Sequence, residues 1–410
     1  MIKHIFKIVW KERKQNAIIV IELFIIATVL WYIADMLYCR GRLYSSPKGY
    51  DITNTYNVEL DELQPDHIEF IEGVTSDQRA DNLLEIKKRI EEFSGVEYVS
   101  LSIAARPHSR SMMGMNIFAR NFISKDFAPF KKITPDFLQV YRYEPVSDSI
   151  ENLKKILENG QLIITQDYQE RGIQLGDTLF QDEEFKTPDQ IIQGAVKPIR
   201  QSKFQCSVPV FITNIKPLDL SINSVFAIEV GIRVKPECTP QFKERFKKEM
   251  APKLVLNNFR FKSIEYNPDA EQVEWEQARL EAFSELFVLL FLLANILLGV
   301  AGVFWYRTVK RRSQIGLRIS YGSTPSGTQR LFMLEATMMM VIGVFLAAIV
   351  MWLLFHYEIP SVELIPLDLK RYVGGLVITI FTMLGTVLLA VWLPTRKTKR
   401  IPPAEALREE

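Results

Sequence analysis

Four residues are best placed to do chemistry: Glu22, Asp35, Asn295 and Glu335 lie in or beside long apolar stretches. A polar or ionisable group in hydrocarbon is costly, so it marks a substrate contact, a proton relay or a helix-helix contact. Asn295 lies deepest and suits a hydrogen bond across a helix contact. Glu22, Asp35, Glu335 and the neighbouring Glu285 sit nearer the ends of their stretches, where anchoring is the simpler role. Gly299 and Gly302 offer close helix approach, although not at the G-x-x-x-G spacing.

Other chemistry has little support. His67 and His108 are the only histidines between the apolar ends, and neither belongs to an H-E-x-x-H pattern. No G-x-S-x-G occurs. Packing roles are expected for both histidines. The three cysteines form no C-x-x-C pair, so no structural metal is expected. Cys206 and Cys238 are either a disulfide, if both lie outside the cytoplasm, or two buried thiols. Gly322 and Gly327 have the glycine spacing of a phosphate loop, but Thr328-Gln329 stands where Lys-Ser/Thr is required. The chain is therefore expected to bind no nucleotide, to carry no cofactor and to be no enzyme by itself. A net charge of +2 gives no reason to expect a nucleic-acid partner.

The elements that hold these residues follow from hydropathy. A helix needs about 20 mainly apolar residues to cross a bilayer. Leu286–Tyr306, Ala336–Tyr357 and Tyr372–Thr395 qualify without an Asp, Glu, Lys or Arg, and His356 lies near the end of the second of them. Ala17–Tyr38 holds Glu22 and Asp35, each costing about 2.5–3.5 kcal/mol at mid-helix. Both lie toward the ends, and no A-x-A-like site follows, so a retained anchor is expected rather than a cleaved signal.

Basic residues orient these spans. Lys3, Lys7, Lys11, Arg13 and Lys14 precede the first span, and Arg396, Lys397, Lys399, Arg400 and Arg408 follow the last. Arg307, Lys310, Arg311, Arg312, Arg318 and Arg330 separate the second span from the third. Positive segments favour the cytoplasm, which puts both termini and this loop inside a bacterial inner membrane. Arg40, Arg42 and Lys48 run mildly against the rule.

The expected fold class is a membrane protein with four transmembrane α-helices, one plus three, around an inserted α+β extracytoplasmic domain. The expected order is a cytoplasmic segment (1–16), first span (17–38), periplasmic domain (39–267), stalk helix (268–283) and second span (284–306). A coupling loop (307–330), third span (331–356), short periplasmic loop (357–371), fourth span (372–394) and cytoplasmic tail (395–410) complete it.

Within the domain, residues 96–103, 161–165, 208–212 and 225–230 read as strands. Asp81–Phe93 puts Leu83, Ile86, Ile90 and Phe93 on one helical face, with Gly95 as the stop. Pro240–Met250 puts Phe242 and Phe246 one turn apart. Pro268–Phe283 is acidic and helical with no breaker before the second span. It is either a rod that carries motion or a solvated helix end.

The loop from Arg307 to Arg330 sets Ile315, Leu317 and Ile319 among its charges, and Gly322 and Pro325 punctuate it. This pattern suits docking onto a cytoplasmic partner, or simply holds topology.

Two segments resemble the MacB/FtsX-type ABC permease family. Ser313–Ser323, followed by Phe332-Met-Leu-Glu-Ala336, is similar to the family's E-I-G-x-R-x-x-x-G-A loop and the start of its third span. Leu393–Glu410 is similar to its closing P-x8-P-x-x-A-L-R-x-E. The resemblance implies a homodimeric permease working with two copies of a separate ATPase, which would bind the ATP and Mg. Gln314, Ile315, Gly316, Leu317, Arg318, Tyr321, Gly322 and Thr324 would form the coupling helix seated on that ATPase. It further implies motion of the periplasmic domain, efflux of peptides, toxins or drugs, and in some systems a periplasmic adaptor and an outer-membrane channel. Family alternatives are an envelope-signalling or division-type transmitter acting on a periplasmic hydrolase, and lipoprotein extraction. Gln314 replaces the usual Glu, and Ser320-Tyr321 replaces a smaller pair.

Overall fold

The computed structural model describes residues 10–109, 111–120, 122–123, 128–311, 317, 320–321, 324–360 and 365–396. The chain divides into two compact units, Met1–Ser45 with Ala278–Glu410, and Ser46–Gln277.

The first unit is helical. Arg13–Ser45, Asn267–Lys310, Pro325–His356 and Leu369–Thr395 are the four described helices long and apolar enough to cross a membrane. One precedes the inserted domain and three follow it. Their shared core includes Ile19, Trp31, Val300, Phe304, Met339 and Val387. Lipid tails are as apolar as Leu, so such helices associate through close packing and polar contacts. Gly375 on the fourth span shows the packing, because a Cβ there would meet Trp31 Nε1 at 2.8 Å. Gly299 leaves room for the Glu22 carboxylate, 2.6 Å from where its Cβ would be. Gly302 has nothing within 4 Å of that position.

The second unit is built on one large mixed sheet. Its strands are β1 (Thr55–Glu62), β2 (Val96–Ile103), β3 (Gly114–Met115), β4 (Phe118–Ala119), β5 (Phe122–Ile123) and β6 (Ala128–Ile133). Then come β7 (Leu162–Thr165), β8 (Thr178–Phe180), β9 (Pro188–Val196), β10 (Phe211–Asn214), β11 (Ile228–Val234) and β12 (Phe259–Tyr266). The order is β12-β1-β11-β2-β6-β10-β7-β9-β8-β4-β5, with β3 paired to β6. The β6–β10 and β7–β9 pairs are parallel, and the others are antiparallel.

Helix Ser76–Glu91 starts before the expected Asp81, because Thr75 and Gln78 form a reciprocal capping box that extends the polar first turn. It buries Leu83, Ile86 and Ile90 against the sheet, beside Phe242 and Phe246 of helix Thr239–Glu249. Two strand expectations shift. Pro209 lacks the N–H a ladder needs, and the strand begins at Phe211 instead. Val225–Ala227 is a 3-10 turn capped by the Ser224 side chain, so that strand begins at Ile228. Arg233 is buried in mid-strand and donates to the carbonyls of Val140, Thr53 and Asp51 at 2.6–2.8 Å. Cys206 and Cys238 form no disulfide with each other.

Candidate coupling site and intramembrane ion pairs

The polar residues of the spans are brought together at two levels. At the level of residues 365–371, Asp368 caps the fourth span and its Oδ1 accepts from Arg371 N at 2.7 Å. This places Arg371 in the first turn. Its Nε and Nη2 donate to the two Asp35 oxygens at 2.8 and 2.7 Å, and Nη1 donates to the Ile365 carbonyl. Both side chains are fully buried. A bidentate pair with its remaining donors satisfied is the form in which buried opposite charges are tolerable. Cys39 Sγ lies 3.9 Å from Asp35 Oδ1. Arg40 links the first span to the second through Glu281 at 2.9 Å and Glu285 at 3.1 Å.

At the other level, Glu335 of the third span accepts from Arg307 Nη1 at 2.6 Å and Arg311 Nη1 at 3.2 Å. The two arginines are four residues apart and so share one face of the second span's helix. Arg307 also donates to Asn16, and Arg311 Nη2 reaches Glu12 at 2.5 Å. Glu335 is thus the hub that ties the first three spans together where they approach the loop 307–330.

The expected residues fall out as follows. Asp35 and Glu335 are centres of ion-pair clusters. Glu22 packs against Gly299. Asn295 is exposed and makes no hydrogen bond among the described residues. Leu317 and Tyr321 are one turn apart and exposed, at 49% and 85%, with Tyr321 N donating to Leu317 O. Thr324 is the N-cap of the third span and accepts from Gly327 N at 3.1 Å. Gln314, Ile315, Gly316, Arg318 and Gly322 lie outside the described residues, as does the closing motif from Lys397 to Glu410. Arg307, Arg311 and Arg371 read in the sequence only as topology signals. Two acidic residues at span ends, each in need of a cation, were the available clue to their pairing.

The start of helix Asn267–Lys310 is seated within the inserted domain. Glu271 pairs with Lys48 at 2.7 Å and Lys203 at 3.6 Å. Trp275 stacks on Phe204 at 5.9 Å. His108 Nδ1 lies 2.9 Å from Glu274, a contact of charge and distance without hydrogen-bond alignment, and its Nε2 lies 3.3 Å from Tyr50 OH. Burial pushes the Tyr50 phenol up, helped by Glu271. His108 therefore has a packing role, with Glu274 as its partner. Among the described residues no group of three His, Cys, Asp or Glu could hold a metal.

One apolar helix before a mixed α/β domain and three after it define a polytopic membrane protein of the one-plus-three type. Residues 286–403, which hold the last three spans, match the model of the FtsX-like permease C-terminal family. No curated protein matches the chain.

Solved structures that are similar include a domain of a Porphyromonas gingivalis protein described as a permease, at 14% identity and a TM-score of 0.35. That match covers 52% of this chain and 91% of the other. The periplasmic region of MacB from Actinobacillus actinomycetemcomitans matches at 10% identity and 0.34, over 57% of this chain and 98% of that region. The extracellular domain of the noncanonical ABC-type transporter YknZ from Gram-positive bacteria matches at 12% and 0.30, over 50% and 100%. Likeness at this level says nothing of substrate or partners.

Proposed function

We propose that this chain is the permease subunit of an ABC-type transporter, driven by a separate ATPase that docks on residues 314–324. The observation that carries the reading is the match of residues 286–403 to the FtsX-like permease domain. The exposed Leu317 and Tyr321 support docking, since large apolar side chains on the basic side of a membrane helix pair suit a protein groove. Glu335 and its two arginines would pass a push on that loop to the first three spans. The helix Asn267–Lys310 holds both the acidic stalk sequence and the second span, which favours the rod over the solvated end.

In this account two copies of the chain assemble, and the exposed Asn295 finds its partner on the second copy. Both termini are cytoplasmic and the inserted domain is periplasmic. The output is efflux of peptides, toxins or drugs from the periplasm, with an adaptor and an outer-membrane channel as further partners.

The test is co-purification with an ABC-type ATPase co-expressed with this chain. Leu317→Asp with Tyr321→Asp is expected to reduce recovery of the ATPase about tenfold or more, as loss of anchor side chains does at an interface. Undiminished recovery with undiminished ATP turnover would remove the docking role.

A further inference from the structure

At the β1–β11 end of the sheet one face packs into the apolar core and the other carries polar residues. Along β1, Tyr56, Val58 and Leu60 enter the core, so Asn57 and Glu59 point the other way. On β11 the same alternation sends Ile228, Val230 and Ile232 inward and Glu229 to the face of Asn57. The register sets Asn57 opposite Gly231, which puts Glu229 one diagonal step away. The segment after β2 crosses this face, and Arg106 closes a cleft of about 100 Å³ there. Phe226, 71% exposed, forms its apolar lip.

The polar atoms in this cleft are not all used by the protein. Glu229 Oε2 accepts from Ser102 Oγ at 2.8 Å, Ala105 N at 3.0 Å and Arg106 N at 2.8 Å, whereas Oε1 has no partner among the described residues. Asn57 Oδ1 and Arg106 Nε are likewise buried without a partner. Asn57 is 4% and Glu229 8% exposed. Leaving a buried polar atom unpaired costs about 1–3 kcal/mol, so three in one cleft are a strong demand for an occupant.

The formal charges around the cleft balance. Lys131, Arg106 and Lys262 face Glu229, Glu59 and Glu265. Lys131 Nζ donates to Ala105 O at 3.0 Å and Gln201 Oε1 at 3.3 Å. Burial lowers its ammonium to about 8, against the pull of Glu229. Lys262 lies 3.4 Å from Glu59, and Arg106 3.8 Å from Glu265.

We propose that this cleft binds the uncharged primary carboxamide group of a ligand. Two free acceptors, Glu229 Oε1 and Asn57 Oδ1, match the two N–H donors of a carboxamide, and Arg106 Nε matches its carbonyl. The volume suits a group of this size, since a water molecule's share of the liquid is about 30 Å³. The lip takes the apolar chain that carries the amide. Balanced charge argues against an ion as ligand. The site stands apart from the coupling role, because binding needs neither nucleotide nor ATPase.

The experiment is saturation-transfer NMR on the full chain in lipid nanodiscs, with propionamide as probe and methyl propionate as the analogue that lacks the N–H donors. Saturable amide binding is expected, with the ester about tenfold or more weaker, because a site built to hydrogen-bond rejects a ligand that leaves its groups unpaired. Asn57→Val should weaken the amide by a similar factor. Arg106→Met is the second variant, since its backbone bond to Glu229 survives and only the Nε donor is lost. No saturable amide signal would mean that water alone fills the cleft and would overturn the proposal. Equal binding of amide and ester, or binding unchanged in both variants, would do the same.

Discussion

Asp35→Ala is expected to destabilise the helical unit by about 3–5 kcal/mol, because it removes the bidentate acceptor of the buried Arg371 guanidinium. Both side chains are fully buried, and Asp35 accepts from both Nε and Nη2. Arg371→Ala should cost a similar amount by stranding Asp35. Replacing both residues by apolar ones of similar volume, Asp35→Leu with Arg371→Met, should restore most of the loss, since a buried pair often gains little over a well-packed apolar contact. Equilibrium unfolding of the three variants and the parent in mixed micelles reads this directly. Single variants as stable as the parent would mean that the pair is not buried in the membrane-embedded protein.

Glu335→Ala is expected to have a comparable effect on stability and a larger one on coupling. It leaves Arg307, itself 5% exposed, without its anion, and removes the bond to Arg311. The informative contrast is Glu12→Ala. Glu12 also pairs with Arg311, but it is one-third exposed, and exposed pairs contribute only about 0–1 kcal/mol. If Glu335 joins the loop to the spans, its Ala variant should still co-purify with the ATPase while nucleotide turnover no longer responds to the permease. Stability and turnover indistinguishable from those of Glu12→Ala would show that Glu335 has no special place.

Three of the four helices were legible because an uncharged run of 20 or more residues has few other uses, and the first, which holds Glu22 and Asp35, because its charges lie toward the ends of an apolar stretch. The α+β character of the inserted domain was legible from alternation, and the helix faces of Leu83 and Phe242 from their spacing. Strand edges were not. Val225 and Phe226 are as β-prone as Ile228, yet the Ser224 side chain turns them into a 3-10 segment before the ladder begins. The ion pairs were hidden for a different reason. Asp35 and Arg371 lie 336 positions apart, and Arg307 and Glu335 lie 28 apart, so nothing local joins them. A positive residue near a span end reads as a topology signal whether or not it also neutralises a buried acid. Asn57, Arg106 and Glu229 were invisible as a group, because only the β1–β11 register and the segment after β2 bring them to one cleft.

The account depends on the inserted domain and the loop after the second span facing opposite sides of the membrane. Single cysteines at Ile150 and Ser320, in a chain whose own cysteines are replaced, can be challenged with a membrane-impermeant maleimide on cells whose outer membrane has been made permeable. Labelling at 150 alone, with 320 reacting only after the inner membrane is opened, is the predicted result. Equal labelling of the two positions in intact spheroplasts would contradict it.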